Sequence, residues 1–519
     1  MLACCAGLVF LHVRRAFAQT ATSLLPDATV LPSRTLRVRG LVAWSRSDQL
    51  LGNGGDRNVG SLLAADSLGS AQIPAFAPME NAIRNASGTS SFRLNAGQLS
   101  AVANSRVVTA PLILEYGLTS RITLGVVVPL VETRTSLAAG LNYKPGSANV
   151  GVNGSAVIAA NSALIASMNA AAASLQTRLA ACQSSPGTCG LTTAQQSAAQ
   201  SLVQSTASLS SSLATLYGTS TASGQVLIPL DSSAIQGVIA ARVQSVRDQY
   251  SALLGADPIT GALTGAHGPA ANAQLQRILT ALGHDTLQAI DRSSIGDITI
   301  GATYQLMNTY PDSAGAAAPG ASARHYVRVA ANAGYRLGTG EPANRNRFFD
   351  LGTGYGQPGI TAGLAADAQL VGNFSASAQA SYTAQFGSVA VSRIPNVGNV
   401  AFPLDLPVAG TYTAGNVLSL SLIPRYRFSS DFGVTGRYTM VRVGADQYTG
   451  SGATNAGIAA ATAQQLGIGL TYGSIMSLDR GPGRIPFEVS FNHLETIAGS
   501  GGPTPKTFVD QIELRVYFR

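Results

Sequence analysis

The chain closes on Phe508-Val509-Asp510-Gln511-Ile512-Glu513-Leu514-Arg515-Val516-Tyr517-Phe518. Phe508, Ile512, Leu514, Val516 and Phe518 share one parity, and Gln511, Glu513, Arg515 and Tyr517 share the other. This is the period-two alternation of a strand with one apolar and one polar face. The same dyad recurs upstream. Ile485, Phe487, Val489 and Phe491 alternate with Glu488, Ser490 and Asn492, and Leu466, Ile468, Leu470 and Tyr472 alternate with Gln465, Gly467, Gly469 and Thr471. Leu418, Leu420, Leu422, Tyr426 and Phe428 lie opposite Ser419, Ser421, Arg425 and Arg427, while Phe432, Val434 and Tyr438 lie opposite Thr435, Arg437 and Thr439. These segments run about 10 to 15 residues, longer than the five or six of a usual soluble strand but suited to a tilted membrane crossing.

The pattern predicts twelve strands, near 35–47, 106–116, 121–135, 296–306, 325–337, 358–370, 373–387, 416–428, 431–445, 461–473, 484–495 and 507–519, with Ser91 to Asn95 as a candidate extra one. Tight joins at 117–120, 371–373 and 429–431 alternate with long ones at 48–105, 136–295, 336–357 and 388–415. Short turns on one side and long loops on the other is the arrangement of an antiparallel outer-membrane β-barrel with both termini on the periplasmic side. One join, 307–324, is long for a periplasmic turn. A soluble barrel or sandwich is the alternative. Two features oppose it: the polar faces carry Ser, Thr, Gln, Gly and Arg instead of a Lys/Glu mixture, and Tyr116, Tyr304, Tyr335, Phe386, Phe428, Phe432, Tyr472 and Phe518 recur near strand ends as an interfacial girdle would.

Composition agrees. Only 11% of the 519 residues are charged, against about 25% in an average soluble domain. After residue 20 no run reaches the roughly 18 uninterrupted apolar residues of a spanning helix, and the low charge with abundant Val, Ile and Leu is opposite to disorder. Net charge is +8, or +6 once Arg14 and Arg15 leave with a leader, and no basic cluster points to nucleic acid. The leader is residues 1–18, an apolar run from Leu2 to Val13 followed by Ala16-Phe17-Ala18, which fits the small-x-small cleavage rule. Cys182 and Cys189, spaced across Pro186-Gly187, read in an exported chain as a disulfide stapling a hairpin tip.

This divides the chain into a signal peptide (1–18), the first strands with a long first loop (19–137), a helical insertion (138–295) and the remaining strands (296–519). In the insertion Ile158, Ile165, Met168, Leu175, Leu179 and Cys182, then Ala198, Leu202, Leu209, Leu213 and Leu216, fall at helical spacing, the mark of a hairpin with an apolar seam. Further helices are expected near Ser232 to Leu254 and Asn272 to Ile290. By loop parity the insertion lies at the extracellular mouth, as a cap, a plug, or a tolerated loop with no separate activity.

Charges of inward parity are the candidate pore-lining residues: Arg37, Arg39, Glu115, Arg121, Arg328, Arg336, Asp367, Arg425, Arg427, Arg437, Glu488, Glu513 and Arg515. Since the last strand of a barrel pairs with the first, Arg515 should face Arg37 or Arg39. Such rings set pore selectivity, here leaning toward anionic or zwitterionic solutes; the competing reading is a structural Arg/Glu network filling a narrow lumen. A catalytic centre is not legible: His493 lies on the lipid-facing parity with no serine placed to use it. No cofactor or metal motif is present in the sequence. The Gly-rich stretches Gly338-Thr339-Gly340 and Gly352-Thr353-Gly354-Tyr355-Gly356 flank a loop between strands and open no helix, so they lack the setting of a phosphate loop.

Leu114-Glu115-Tyr116-Gly117-Leu118-Thr119-Ser120-Arg121-Ile122-Thr123-Leu124-Gly125 with Val128-Pro129, Gly296-Asp297-Ile298-Thr299-Ile300-Gly301, Tyr335-Arg336-Leu337-Gly338-Thr339-Gly340-Glu341-Pro342 and Asp350-Leu351-Gly352-Thr353-Gly354 resemble the bacterial outer-membrane β-barrel transporters grouped with the meta-pathway of phenol degradation. The resemblance implies channel-type transport, with hydrophobic or aromatic compounds among the solutes. The long helical insertion departs from that pattern, as does Arg519 after Phe518. The expectation is therefore a channel for passive passage of small solutes in the bacterial outer membrane, whose partners are the lipid bilayer, the outer-membrane assembly machinery and a small-molecule solute. The alternative is a structural or adhesive surface protein whose barrel anchors the helical insertion.

Overall fold

The computed structural model describes residues 27–51, 55–142, 146, 148–184, 190–218, 226–281, 287–310, 325–344, 347–391, 409–450, 460–474, 485–501 and 504–518. Twelve antiparallel strands form the wall: β1 Leu36–Leu51, β2 Leu99–Gly117, β3 Ile122–Leu141, β4 in two pieces at Ile290–Ile295 and Thr299–Asn308, β5 Tyr326–Arg336, β6 Gly359–Val371, β7 Phe374–Gln385, β8 Val417–Arg427, β9 Phe432–Val443, β10 Ala461–Gly473, β11 Phe487–Ser500 and β12 Thr504–Phe518. Each strand pairs with its neighbours in sequence. The wall closes because β12 returns to β1, with Leu36 opposite Phe518 and Val42 opposite Ile512. The expected closed antiparallel barrel of twelve strands is what the chain forms.

Alternation sorts the side chains as lipid and lumen would demand. On β10, Ile468 is 61% exposed on the outside while Gln465 is 3% exposed on the inside. Outward residues form a continuous apolar belt, edged at the short-turn end by Tyr116, Tyr304, Phe432, Tyr472 and Phe518, all exposed. At the long-loop end the belt stops at charge: Arg46, Arg106 and Arg134 are direct cross-strand neighbours on β1, β2 and β3.

Several boundaries differ from expectation. Ser91 to Asn95 forms no strand. β4 begins at Ile290, where it pairs with Thr135, so the barrel takes back residues assigned to the insertion, and the last helix ends at Ala281. The join from Gly473 to Phe487 is long although it lies on the short-turn side, and Ser500 to Thr504 is tight on the other.

The helices are α1 Ala77–Ser87 in the first loop, then α2 Ser155–Ser184, α3 Thr193–Tyr217, α4 Ala234–Leu254 and α5 Asn272–Ala281. By length and composition α2 could cross a membrane. Instead, Leu164, Met168, Leu175 and Leu179 are buried in a seam with Leu202, Leu209 and Leu213 of α3. The start of α3 is set by a capping box in which Thr192 and Gln195 exchange side-chain and backbone bonds, satisfying donors the first turn leaves open. Cys182 is buried in the seam and disulfide-bonded; Cys189 and the leader, residues 1–18, lie outside the described residues. Arg242 of α4 donates to the Ala86 carbonyl at 2.6 Å, and Asn142 just past β3 donates to the Ala96 and Ala270 carbonyls, both at 2.8 Å. One apolar core runs from the helices through α1 to inward residues at the upper ends of the strands, Val107, Val131, Val441 and Ala463 among them. The insertion is therefore seated on the mouth.

The wall makes a depth-dependent prediction. Ile468→Arg, in the middle of the outer belt, should lower unfolding stability in vesicles by ~2–4 kcal/mol, and Tyr472→Arg at the girdle by only ~0–1 kcal/mol. Urea titration of vesicle-folded protein followed by gel mobility reads both; equal losses would contradict the assigned faces.

Candidate functional site

The inner surface carries the charges, and most of them are paired. Arg37 grips Glu115 on the neighbouring strand with both Nε and Nη2, at 2.6 and 2.8 Å. Arg39 lies directly across the β1–β12 seam from Arg515. Between them sits Glu513, which accepts from Arg39 Nε at 2.7 Å and from Arg515 at 3.0 and 3.1 Å. Arg515 also meets Glu488 on β11 at 3.2 Å. On the opposite wall Arg328 pairs with Asp367 at 2.9 Å and lies over the Tyr310 ring at 5.0 Å. Bidentate pairs of this kind satisfy the planar guanidinium in a place where an unpaired charge is costly.

A short stretch with no periodicity crosses the space between these clusters. Asp27 binds Arg515 at 3.1 Å. The backbone N–H of Ala28 donates to Asp367 at 3.0 Å, on β6, six strands round the barrel from β12. Leu31 N–H donates to Thr123 on β3 at 2.9 Å. Ala28 and Leu31 are fully enclosed, Ala28 against Ala330 and Ala365. The segment 27–32 is thus a strap across the lumen at the short-turn end, and it leads into β1 from inside. Gly117 makes room for its turn, because a Cβ there would meet the Pro32 carbonyl at 2.0 Å. Burial by itself would raise the Asp27 carboxyl, but Arg515, Arg37 and Arg328 outweigh it and hold the group far below the usual carboxylate range.

A third feature interrupts the wall. β4 breaks at 296–298, and Asp297 turns inward to accept from the N–H groups of Gly340 (2.8 Å), Tyr355 (2.7 Å) and Gly356 (3.3 Å). Arg336 approaches the same carboxylate at 3.7 Å and lies over the Tyr355 ring at 4.6 Å. The two Gly-rich stretches therefore form a backbone nest, an anion cradle, whose anion is the protein's own. A Cβ at Gly354 would meet the Asp297 carboxylate at 2.8 Å. With Arg292 pairing to Asp350 at 2.9 Å, this pins the 337–358 loop inside, where the Phe349 carbonyl accepts from Thr135 at 3.0 Å. Above it Tyr412 and Tyr448 stack at 5.1 Å, so the upper lumen is apolar.

The expected pore-lining set therefore splits. Arg37, Arg39, Glu115, Glu488, Glu513 and Arg515 form one ion network, Arg328 and Asp367 another, and Arg336 lies beneath the inturned loop, bonded to Gln385 and the Gln357 carbonyl. Arg121 does not face the lumen; it sits exposed on the β2–β3 turn, one residue short of the wall. Arg425, Arg427 and Arg437 remain. They face inward on β8 and β9, and Arg425 and Arg437 line a polar chamber with Thr435, Asn492 and Gln511. His493 points outward and pairs with Asp510 at 2.7 Å at the edge of the belt, beside Trp44, which lies opposite Asp510. Asp27 and Asp297 are absent from the charges named by parity: Asp27 precedes the first alternating segment, and Asp297, although within the expected strand 296–306, lies where the wall breaks; the glycine spacing near residues 338–356 is the signal that could have pointed to a buried anion.

No family model and no curated protein matches the chain. Among solved structures, an outer membrane channel from Pseudomonas putida F1 is 10% identical, with a TM-score of 0.42 over 95% of this chain and 98% of that one. The monoaromatic hydrocarbon channel CymD is 11% identical with a TM-score of 0.25, covering 96% and 92%. The translocator domain of the autotransporter NalP from Neisseria meningitidis is 8% identical with a TM-score of 0.29, covering 98% and 93%. All three scores are below 0.5, so the functional reading rests on the geometry of this chain.

Two outcomes test the anchors. Asp297→Ala strands three N–H donors at ~1–3 kcal/mol each and should free the 337–358 loop, read as new protease cleavage there in an otherwise folded barrel. Because Asp27 titrates lower when folded than when unfolded, its contribution is complete above about pH 4, the unfolded carboxylate value. It fades only as pH falls toward the depressed value. The mobility of a spin label on Pro32→Cys, attached at neutral pH, should therefore stay low from pH 7 down to 4 and rise only below; release near pH 6 would refute the Asp27 anchor.

Proposed function

We propose that the protein is a passive outer-membrane channel for small solutes. The observation that carries this is the pairing of a lipid-suited outer belt with a polar lumen that holds a lined chamber. Nothing in such a design requires an energy source: a solute needs a route with enough affinity to enter and little enough to leave.

The route has two textures. At the upper end Val441, Val443, Tyr412 and Tyr448 are packed in the core shared with the helices, an apolar surrounding that suits apolar or aromatic parts of a solute, in keeping with the sequence resemblance. The lower half, with Arg425, Arg427 and Arg437, suits a negative or zwitterionic group. The strap at 27–32 and the loop at 337–358 are proposed as the constrictions that set the size limit, and the helical insertion as a cap over the mouth. Sharing one core with the strands supports a cap more than a free adhesive domain.

Planar bilayers test the reading directly. The full chain should give small, discrete conductance steps, and Asp27→Asn, which loosens the strap, should enlarge them or make them fluctuate. Complete absence of steps in protein whose gel mobility shows a folded barrel would remove the channel reading. With the three arginines Arg425, Arg427 and Arg437 replaced by Gln, the reversal potential in a salt gradient should move toward the cation-preferring side.

A further inference from the structure

The lower chamber does more than carry positive potential, because donors with no partner of their own converge on it. On β10 the inward positions Gly467 and Gly469 have no side chain. A Cβ at Gly469 would meet Asn492 Oδ1 at 2.2 Å and Thr435 Oγ1 at 2.6 Å, so these two chamber-lining side chains occupy the place a side chain at 469 would take. Thr435 and Arg437 bound the chamber on β9, and Arg437 lies directly opposite Gly467. Arg425 sits directly opposite Thr435 on the other side.

The donors around this chamber are left over from folding. Thr435 is 4% exposed and its hydroxyl has no hydrogen-bond partner. Arg437 spends one contact on Thr439, Nε to Oγ1 at 3.3 Å, and Arg425 and Arg427 make no ion pair among the described residues. The acids that share the chamber, Glu488 and Glu513, are already engaged by Arg515 and Arg39. A buried hydroxyl without a partner is costly, and two guanidiniums flanking it are matched to an acceptor with two oxygens in one plane.

We infer that this chamber is a binding site for the carboxylate group of a small organic acid, held between Arg425 and Arg437 with Thr435 donating its hydroxyl. The inference deepens the channel reading by naming the class of solute. It makes the lumen a saturable site, where an electrostatic ring alone would favour any anion without saturation.

Acetate and benzoate are the probes, with benzyl alcohol as the uncharged match to benzoate. Chloride current through the full chain in phosphatidylcholine bilayers should fall saturably with either acid, and stay unchanged with benzyl alcohol. Arg437→Gln and Thr435→Val should each raise the half-blocking concentration by about tenfold, the scale of one charge-assisted hydrogen bond. Gly469→Val alters no charge and should abolish the block, because its side chain displaces Asn492 and the Thr435 hydroxyl from their places in the chamber wall. A linear, unsaturated response to the acids, or equal block in Gly469→Val and the unaltered chain, would overturn the site. If the protein conducts nothing, equilibrium dialysis of radiolabelled benzoate against folded protein in detergent decides instead. Binding lost in Gly469→Val would keep the site and remove the channel. No binding by the unaltered chain would remove the site.

Discussion

In hydrocarbon no water can satisfy a peptide group, so every backbone N–H and C=O of the wall has to be answered by another strand. The register between β12 and β1, unbroken from Phe518–Leu36 to Phe508–Arg46, meets that demand by leaving no edge. The other features follow from this closure. A closed sheet has one face for lipid and one for the interior, hence the strict alternation, and it forces every ionisable residue of the strands to the rim or the lumen. Charges confined to a lumen repel or pair. The Arg37–Glu115 fork and the Glu513 bridge between Arg39 and Arg515 are the paired solution, and they also tie β1 to both of its neighbours.

The same principle of internal satisfaction explains the glycine-rich loop. Asp297 brings a negative charge into a break in the wall, and three backbone N–H groups with Arg336 answer it. That carboxylate is fully provided for, whereas Arg425 and Arg427 are not. The contrast separates what holds the protein together from what is left over for something passing through: structural charges here come with their counterions attached.

The barrel was legible because lipid imposes a simple code. Segments such as Leu466 to Tyr472 and Ile512 to Phe518 need only alternate, and counting them gives the strand number; the joins are a weaker guide, since Gly473 to Phe487 is long and Ser500 to Thr504 tight against the expected order. Parity also placed Arg425, Arg427 and Arg437 inside. It could not tell which inward charges were spent, since Arg39 and Glu513 are 474 positions apart in sequence and meet only through closure. Arg121 shows the limit of parity at strand ends, where the wall stops before the alternation does. Asp27 was invisible for another reason: its importance comes from what surrounds it in space, and the nine residues from Asp27 to Thr35 have no pattern to read. The spacing of Gly338, Gly340, Gly352, Gly354 and Gly356 was visible, but the carboxylate it accommodates lies some 40 positions upstream of the first of them.

The strap leads directly into β1 from inside the lumen, and β1 is also half of the seam. The piece of chain that obstructs the passage is thus continuous with the piece that locks the cylinder, with Arg515 touching both through Asp27 and Glu513. A tug on residues 27–32 is delivered straight to the first backbone pairs of the closure at Leu36 and Arg37, so obstruction and mechanical integrity are parts of one lever, and neither can be altered without loading the other.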